Sequence, residues 1–166
     1  MAIVQKITPC LWFNGQAEEA AKSYVSIFDN SGIGAVTRYG KEGVEIHGQP
    51  DGTVLTVSFR LEGQEFTALN GGPRFKFNEA ISLAVSCETQ AEIDRYWDRL
   101  REGGDEKAQQ CGWLKDKYGL SWQIVPRGLL EMLAAGVSAK TERLMKVLMG
   151  MKKLDLAALQ RAYDGR

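Results

Sequence analysis

The feature that most constrains the fold of this chain is a repeated order of β-like and helical segments. Residues 3–13 are rich in β-branched and apolar side chains and predict a strand, after which the apolar spacing becomes that of a helix from Gln16. Residues 80–87 predict another strand, and a second amphipathic helix follows from about Gln90, about 74 residues after the first. Few residues are identical between the halves, so the repeat is one of architecture. Strand runs with one helix in each half favour an α+β fold over a doubly wound parallel sheet.

Each half is predicted to continue with strands after its helix. In the first half these strands are residues 34–39, 53–61 and 64–70, with a polar loop at 40–52. In the second half they are residues 108–114 and 121–125, with a further short strand around 106–109. Asn14 and Thr89 have the side chains and spacing that favour the N-caps of the two helices.

The chain after Pro126 is predicted to be helical. A short leucine-rich helix ends before Gly136, and Ser138 and Asp155 are placed to cap a second and a third helix. We therefore expect a domain at residues 1–126 and a helical extension at 127–166 that packs on the same domain or on a partner chain.

Charge and cysteine content limit the partners and the compartment. Lys and Arg number 21 and Asp and Glu number 21, so the chain lacks the basic surplus typical of proteins that bind nucleic acid or an anionic membrane. The three cysteines form no C-x-x-C pair, which indicates reduced thiols in the cytoplasm. We expect no signal peptide and no membrane-spanning segment, because no run approaches the roughly 18 apolar residues that a span needs.

The chain contains one histidine, His47, and this excludes several site types. A three-histidine zinc site, a 2-His-1-carboxylate iron site and an H-E-x-x-H motif all need more than one. His47 could act as a general base, but its polar loop, flanked by Gly and Pro, favours a solvent-exposed residue.

Three stretches carry a resemblance to a known family: residues 68–73 (ALNGGP) running into 77–82 (FNEAIS), residues 111–126 (CGWLKDKYGLSWQIVP) and residues 149–159 (MGMKKLDLAAL). Over residues 3–164 the chain resembles the PhnB-like proteins, or 3-demethylubiquinone-9 3-methyltransferase domain proteins. These belong to the glyoxalase/bleomycin resistance/extradiol dioxygenase superfamily, also called vicinal oxygen chelate proteins. The resemblance implies two βαβββ modules, at about 1–77 and 78–126, whose curled sheets form an open barrel around a cavity. It also implies a homodimer.

The resemblance also provides a test for a metal. Superfamily enzymes hold a divalent ion with His and Glu side chains from four strands, and the corresponding positions here are residues 10–12, which hold no His or carboxylate, Asn70, Ser82 and Gln123. Neutral amides and hydroxyls are poor substitutes for carboxylates around a hard cation. We therefore expect no metal and no other cofactor. The methyltransferase description has little support, because Phe13-Asn14-Gly15-Gln16 is not a glycine-rich cradle for S-adenosylmethionine.

The candidate site residues follow from these positions, which correspond to the metal ligands of superfamily enzymes, and from the aromatic side chains. The predicted ligand-binding residues are Trp12, Asn70, Ser82, Trp113, Trp122 and Gln123, since small-molecule pockets combine apolar walls with a few polar groups. The tryptophans could instead simply fill the barrel or the dimer interface. The candidate catalytic residues are Cys111, Asp116 and Gln123, with Lys107 and Lys115 close enough in sequence to activate the Cys111 thiol. A buried structural thiol is the alternative for Cys111, and Cys10 and Cys87 are predicted to lie in the core.

The leading functional hypothesis is metal-independent binding of a small aromatic or quinone-like molecule in the cavity. The alternatives are an enzyme acting on a small organic substrate and a structural or regulatory dimer with a filled barrel. The sequence leaves open the ligand, whether a reaction is catalysed, and whether the dimer exchanges modules.

Overall fold

A computed structural model describes residues 5–166, which form two compact units that divide between Phe77 and Asn78. The α+β class predicted from the repeat is confirmed: the described residues contain two mixed sheets, one in each unit, and six α-helices. The longest of these helices has 12 residues, and no described helix has the length and apolarity to cross a bilayer.

The first unit is a four-stranded sheet with one long helix on it. Its elements are β1 (Cys10–Phe13), α1 (Ala17–Val25), β2 (Gly32–Arg38), α2 (Val44–His47), β3 (Val54–Leu61) and β4 (Gln64–Asn70). The strand order is β1-β4-β3-β2, with β1 parallel to β4 and the other pairs antiparallel. The short helix α2 lies within the segment that the sequence predicted as a polar loop.

The core of the first unit lies between α1 and one face of this sheet. The period-two pattern of β3 and β4 turns Val57, Phe59, Phe66 and Ala68 inward, and all four are buried. Phe59 stacks on Phe66 with 5.3 Å between ring centroids, and each such buried ring contributes on the order of 2–3 kcal/mol.

The N-terminus of α1 is capped from a distant strand rather than from the preceding loop. The predicted cap, Asn14, is exposed, and the residue at the cap position, Gln16, makes no side-chain cap. Instead Asn70, at the end of β4, accepts a hydrogen bond from the Ala17 amide at 2.9 Å. The prediction for Asn14 was therefore wrong, because the acceptor lies 53 residues away and no local motif identifies it.

The second unit is a three-stranded sheet followed by helices. Its elements are β5 (Ser82–Cys87), α3 (Gln90–Arg101), a 3-10 helix (Glu106–Ala108), β6 (Trp113–Lys115), β7 (Ser121–Pro126), α4 (Arg127–Ala134), α5 (Ala139–Leu148) and α6 (Leu156–Asp164). The order is β5-β7-β6, with β5 parallel to β7. This module differs from the expected βαβββ pattern, because residues 106–108 form a 3-10 turn capped by the Asp105 side chain instead of a strand.

The caps predicted for the later helices are confirmed. The side chains of Thr89, Ser138 and Asp155 each accept a hydrogen bond from a backbone amide in the first turn of α3, α5 and α6, respectively. The three C-terminal helices share a small core of their own, which consists of Leu129, Leu144, Leu148, Leu154 and Leu159.

The segment at residues 149–155, which precedes α6, fastens these helices to the sheet module of the second unit. The amides of Cys111 and Gly112 donate to the carbonyls of Met151 and Lys152, both at 2.8 Å. The Gln90 side chain also holds this segment, because its Nε2 donates to the Leu154 carbonyl at 3.1 Å and its Oε1 accepts from the Leu156 amide at 2.8 Å.

Candidate functional site

The sheet of the second unit has one face packed on α3 and one face turned away from it. Strand alternation places Leu114, Trp122 and Ile124 on the packed face, where all three are buried. The alternate residues point to the opposite side, where Trp113, Lys115 and Gln123 are partly buried and Ser121 is buried. This second side is therefore where a ligand could contact the sheet.

We call this side the open face and define it by Ser82, Trp113, Lys115 and Gln123. In the strand register Trp113 lies opposite Gln123, and Lys115 lies in a row with Ser121 and Ser82. The Gln123 Nε2 donates to the Ser82 Oγ at 2.9 Å. Two positions carried over from the superfamily are thus joined by a hydrogen bond, with an indole beside them.

Lys115 brings a positive charge to the edge of the open face. Its ammonium pairs with the Glu79 carboxylate, and the side chains of Lys115 and Glu79 are 24% and 63% exposed. Hydrogen bonding to Lys115 and its charge lower the pKa of the Glu79 carboxyl. Sequence reasoning considered Lys115 only as a neighbour of Cys111, whereas alternation from Trp113 would have assigned it to this face.

Asp116 and Trp122 lie on the other side of the sheet. The Trp122 Nε1 donates to the Asp116 Oδ2 at 2.8 Å, and the Asp116 Oδ1 accepts from the amides of Tyr118 and Leu120 at 2.9 and 3.0 Å. Asp116 is buried and holds together the turn between β6 and β7. These two predicted site residues are therefore not brought together with Gln123.

Cys111 lies in the tight turn before β6, with a φ of 52°, a left-handed conformation that is uncommon for a residue other than glycine. Its thiol is 3.8 Å from the Met149 sulfur, and its amide is bound to the C-terminal segment.

The other two thiols differ from each other. Cys87 is buried, as predicted, and desolvation, aided by the charge of Glu92, raises the pKa of its thiol to about 11. Cys10 is exposed, so the prediction that it lies in the core was wrong. Its neighbour Leu11 takes the inward position on β1, because successive residues of a strand point to opposite faces.

In the first unit, Trp12 and Asn70 lie on opposite faces of the sheet. Trp12 points away from α1, and its Nε1 donates to the Gly72 carbonyl at 2.9 Å. Gly71 packs so closely on the indole that a Cβ there would lie 2.2 Å from the Trp12 ring. Asn70 is buried beside α1, where its Oδ1 binds the Ala17 amide and its Nδ2 donates to the Val54 carbonyl at 3.1 Å.

His47 ends α2 and is partly buried. Its Nδ1 accepts from the Gln49 amide at 3.0 Å, and its ring lies 4.4 Å from that of Tyr39. These contacts hold the imidazole against its own loop.

The residues at the carried-over positions do not fit a divalent metal ion. Ser82 and Gln123 offer a hydroxyl and an amide that bind each other, and the Asn70 amide is engaged with the backbone. Within residues 5–166, no group of three or more His, Cys, Asp or Glu side chains is arranged to hold an ion.

S-adenosylmethionine is the cofactor that a methyltransferase description implies. In doubly wound methyltransferases a glycine-rich turn after the first strand approaches the cofactor. Here the connection from β1 to α1 is Asn14-Gly15-Gln16, and each described sheet mixes parallel and antiparallel strands. This connection does not fit the cofactor.

A separate cleft of about 380 Å³ lies between α4 and α5. Its lining is mostly apolar and consists of Leu133, Gly136, Val137, Thr141, Glu142 and Met145. None of the predicted site residues lines it.

Comparisons with known proteins identify relatives of the sheet modules. A family model described as 3-demethylubiquinone-9 3-methyltransferase matches residues 5–125, which end just before α4. No curated protein sequence matches the chain.

Among solved structures, the chain is similar to a PhnB protein from Bacillus cereus, with 40% identity over 74% of this chain and 99% of that one and a TM-score of 0.64. It also resembles the fosfomycin resistance protein FosX from Mesorhizobium loti, with 17% identity over 80% and 98% of the two chains and a TM-score of 0.53. A glyoxylase/bleomycin resistance protein/dioxygenase domain from Frankia shares 16% identity over 75% and 93%, with a TM-score of 0.48. The FosX likeness concerns the fold alone.

Proposed function

The chain belongs to the 3-demethylubiquinone-9 3-methyltransferase family of PhnB-like proteins, within the glyoxalase/bleomycin resistance/dioxygenase superfamily, and on that premise we propose that it binds a small planar organic molecule without a metal ion. The observation that carries the proposal is the open face of the second sheet. There a hydrogen-bonded pair of neutral polar side chains, Gln123 and Ser82, lies beside the indole of Trp113.

The pair is suited to a ligand carbonyl. The Ser82 oxygen accepts from Gln123, so its hydroxyl hydrogen can be donated elsewhere, and the Gln123 amide has a second N–H. Two donors at one place can bind one carbonyl oxygen, such as that of a quinone. Stacking on an indole adds about 0.5–1.5 kcal/mol for an aromatic ring.

This arrangement favours binding over catalysis. An amide and an aliphatic hydroxyl do not ionise near neutral pH, so Gln123 and Ser82 supply orientation and hydrogen bonds rather than general acid–base chemistry. In the first unit, Trp12 points away from α1, and its indole is proposed as a contact for a ligand on that unit's own sheet. Asn70 and Trp122 are proposed to act indirectly, by holding α1 and the turn after β6 in place.

The proposal can be tested by calorimetric titration with 2-methoxy-3-methyl-1,4-naphthoquinone. This quinone is neutral and carries substituents at both positions 2 and 3. We expect saturable binding that Gln123→Leu and Trp113→Ala each weaken by about five- to tenfold, the loss of one hydrogen bond or one stacked ring. Gln160→Leu on α6 removes the same amide elsewhere and should leave the affinity unchanged. No saturable binding, or equal affinity in all variants, would overturn the assignment.

Native mass spectrometry on protein purified without chelator tests the metal-independent part. We expect no stoichiometric metal and added organic mass where a ligand is retained. One metal ion per chain would contradict the proposal and favour a metalloenzyme.

The same experiment reports the oligomer, and we propose a homodimer. Leu130 on α4 is 72% exposed, and Val137, which lines the cleft between α4 and α5, is 93% exposed; exposed apolar surface is typical of an interaction site. A monomer at micromolar concentration would refute the dimer without affecting the ligand proposal.

The cytoplasm is the proposed location. All three thiols, Cys10, Cys87 and Cys111, are free, which suits a reducing compartment. Denaturing intact cells directly in a thiol-labelling reagent would count the free thiols of each chain. Fewer than three labelled thiols per chain would count against a cytoplasmic location.

A further inference from the structure

Lys115 is the charged member of the open face, and its surroundings are unusual for a surface lysine. The β6 register turns its side chain to the same side as Trp113, in the row that continues through Ser121 to Ser82. Only 24% of the side chain is exposed, so most of its length lies against the protein while its ammonium stays at the edge of the face. Lys115 thus lies in the same row of the sheet as Ser82, with one strand between them.

The partner of Lys115 is weakly held by comparison. Glu79 precedes β5 in a non-strand segment, and its side chain is 63% exposed. An ion pair with so exposed a member adds little to stability, because water solvates the carboxylate almost as well when the pair is broken. The Glu79 carboxylate can therefore be replaced by another anion at small cost.

We propose that the ligand of the open face carries an acidic oxygen conjugated to its planar ring, an enolate, phenolate or carboxylate, and that Lys115 recognises this group in exchange for Glu79. The inference rests on the proposed function and narrows its ligand class. The ring stacks on Trp113, a carbonyl accepts from Gln123 and Ser82, and the anionic oxygen reaches the Lys115 ammonium along the same row. When no ligand is bound, the Glu79 carboxylate pairs with the Lys115 ammonium.

The experiment compares two probes that differ in one group. 2-Hydroxy-3-methyl-1,4-naphthoquinone is an anion at neutral pH, and its 2-methoxy ether is neutral with the same ring. By calorimetry at low ionic strength, we expect the wild type to bind the anion about fivefold more tightly than the ether, the size of one partly exposed ion pair.

Three variants test whether Lys115 causes the preference for the anion. Lys115→Met should abolish it, and Glu79→Gln should strengthen anion binding about threefold without changing that of the ether, because a competing carboxylate is removed. Lys117→Met is the matched control: it loses the same charge two residues later, where the ammonium lies over the Tyr118 ring at 5.1 Å, and it should keep the preference.

The outcomes separate this inference from the proposed function. Equal binding of the two probes, or a preference that Lys115→Met leaves intact, would overturn the inference while ligand binding stands. Failure of both probes to bind would refute the proposed function and the inference with it.

Discussion

Replacing Asn70 with leucine should lower the free energy of unfolding of the first unit by about 2–3 kcal/mol, the sum of two lost hydrogen bonds. Asn70 is 2% exposed, and its amide joins two elements that are distant in sequence, the first turn of α1 and strand β3. Leucine has nearly the same size but neither accepts from Ala17 nor donates to Val54.

The magnitude has two parts. Loss of a side-chain acceptor at a helix N-terminus costs about 1 kcal/mol. The Val54 carbonyl, left without the Asn70 donor, adds about 1–2 kcal/mol, toward the low end for an unpaired buried group because Val54 is only partly buried.

Urea unfolding followed by circular dichroism measures the loss, and hydrogen exchange of residues 17–25 locates it in α1. The control is Asn14→Ala, which removes the exposed asparagine that the sequence favours as the cap and should change stability by less than about 0.5 kcal/mol. A larger loss from Asn14→Ala than from Asn70→Leu would refute the reasoning.

Three further predictions concern the second unit. Its stability should fall as the pH rises from about 9 to about 11, because the unfolded Cys87 thiol ionises near 9 and the folded one near 11; the slope is at most about 1.4 kcal/mol per pH unit, and Cys87→Ala should flatten it in urea titrations. Asp116→Ala should cost about 2–4 kcal/mol in urea unfolding, since the Trp122 indole and two amides lose their acceptor. Gly112→Ala should cost about 2 kcal/mol in thermal unfolding, because φ is +83° and the new Cβ would lie 2.9 Å from the Ile124 carbonyl, whereas Gly128→Ala in α4 meets no atom within 4 Å and should be neutral or stabilising.

Local patterns in the sequence predicted most of the fold. The changes from period two to helical spacing at Gln16 and Gln90 identified α1 and α3, and Thr89, Ser138 and Asp155 were identified as caps because capping depends on residues within one turn. The strand predicted at residues 106–109 was wrong, because an aspartate side chain that bonds its own turn offers the backbone an alternative to a strand.

The candidate site was less accessible to sequence reasoning. Ser82 and Gln123 emerged from the family resemblance and do contact each other, whereas Asp116 and Trp122 lie on the opposite face. Strand alternation alone separates Trp122 from Gln123 and groups Lys115 with Trp113. The pairing of Lys115 with Glu79 joins residues 36 positions apart and needed the three-dimensional structure.

The attachment of residues 149–155 to the second unit has a consequence for synthesis on the ribosome. The first unit is complete in sequence at Phe77, so it can fold while the rest of the chain is still being made. The second unit cannot finish folding in the same way. The amides of Cys111 and Gly112 bind carbonyls that are synthesised about 40 residues later. A chain shortened to the family boundary at residue 125 would therefore expose those amides and leave the Gln90 side chain without the segment that it holds, as in a nascent chain stalled before its last step.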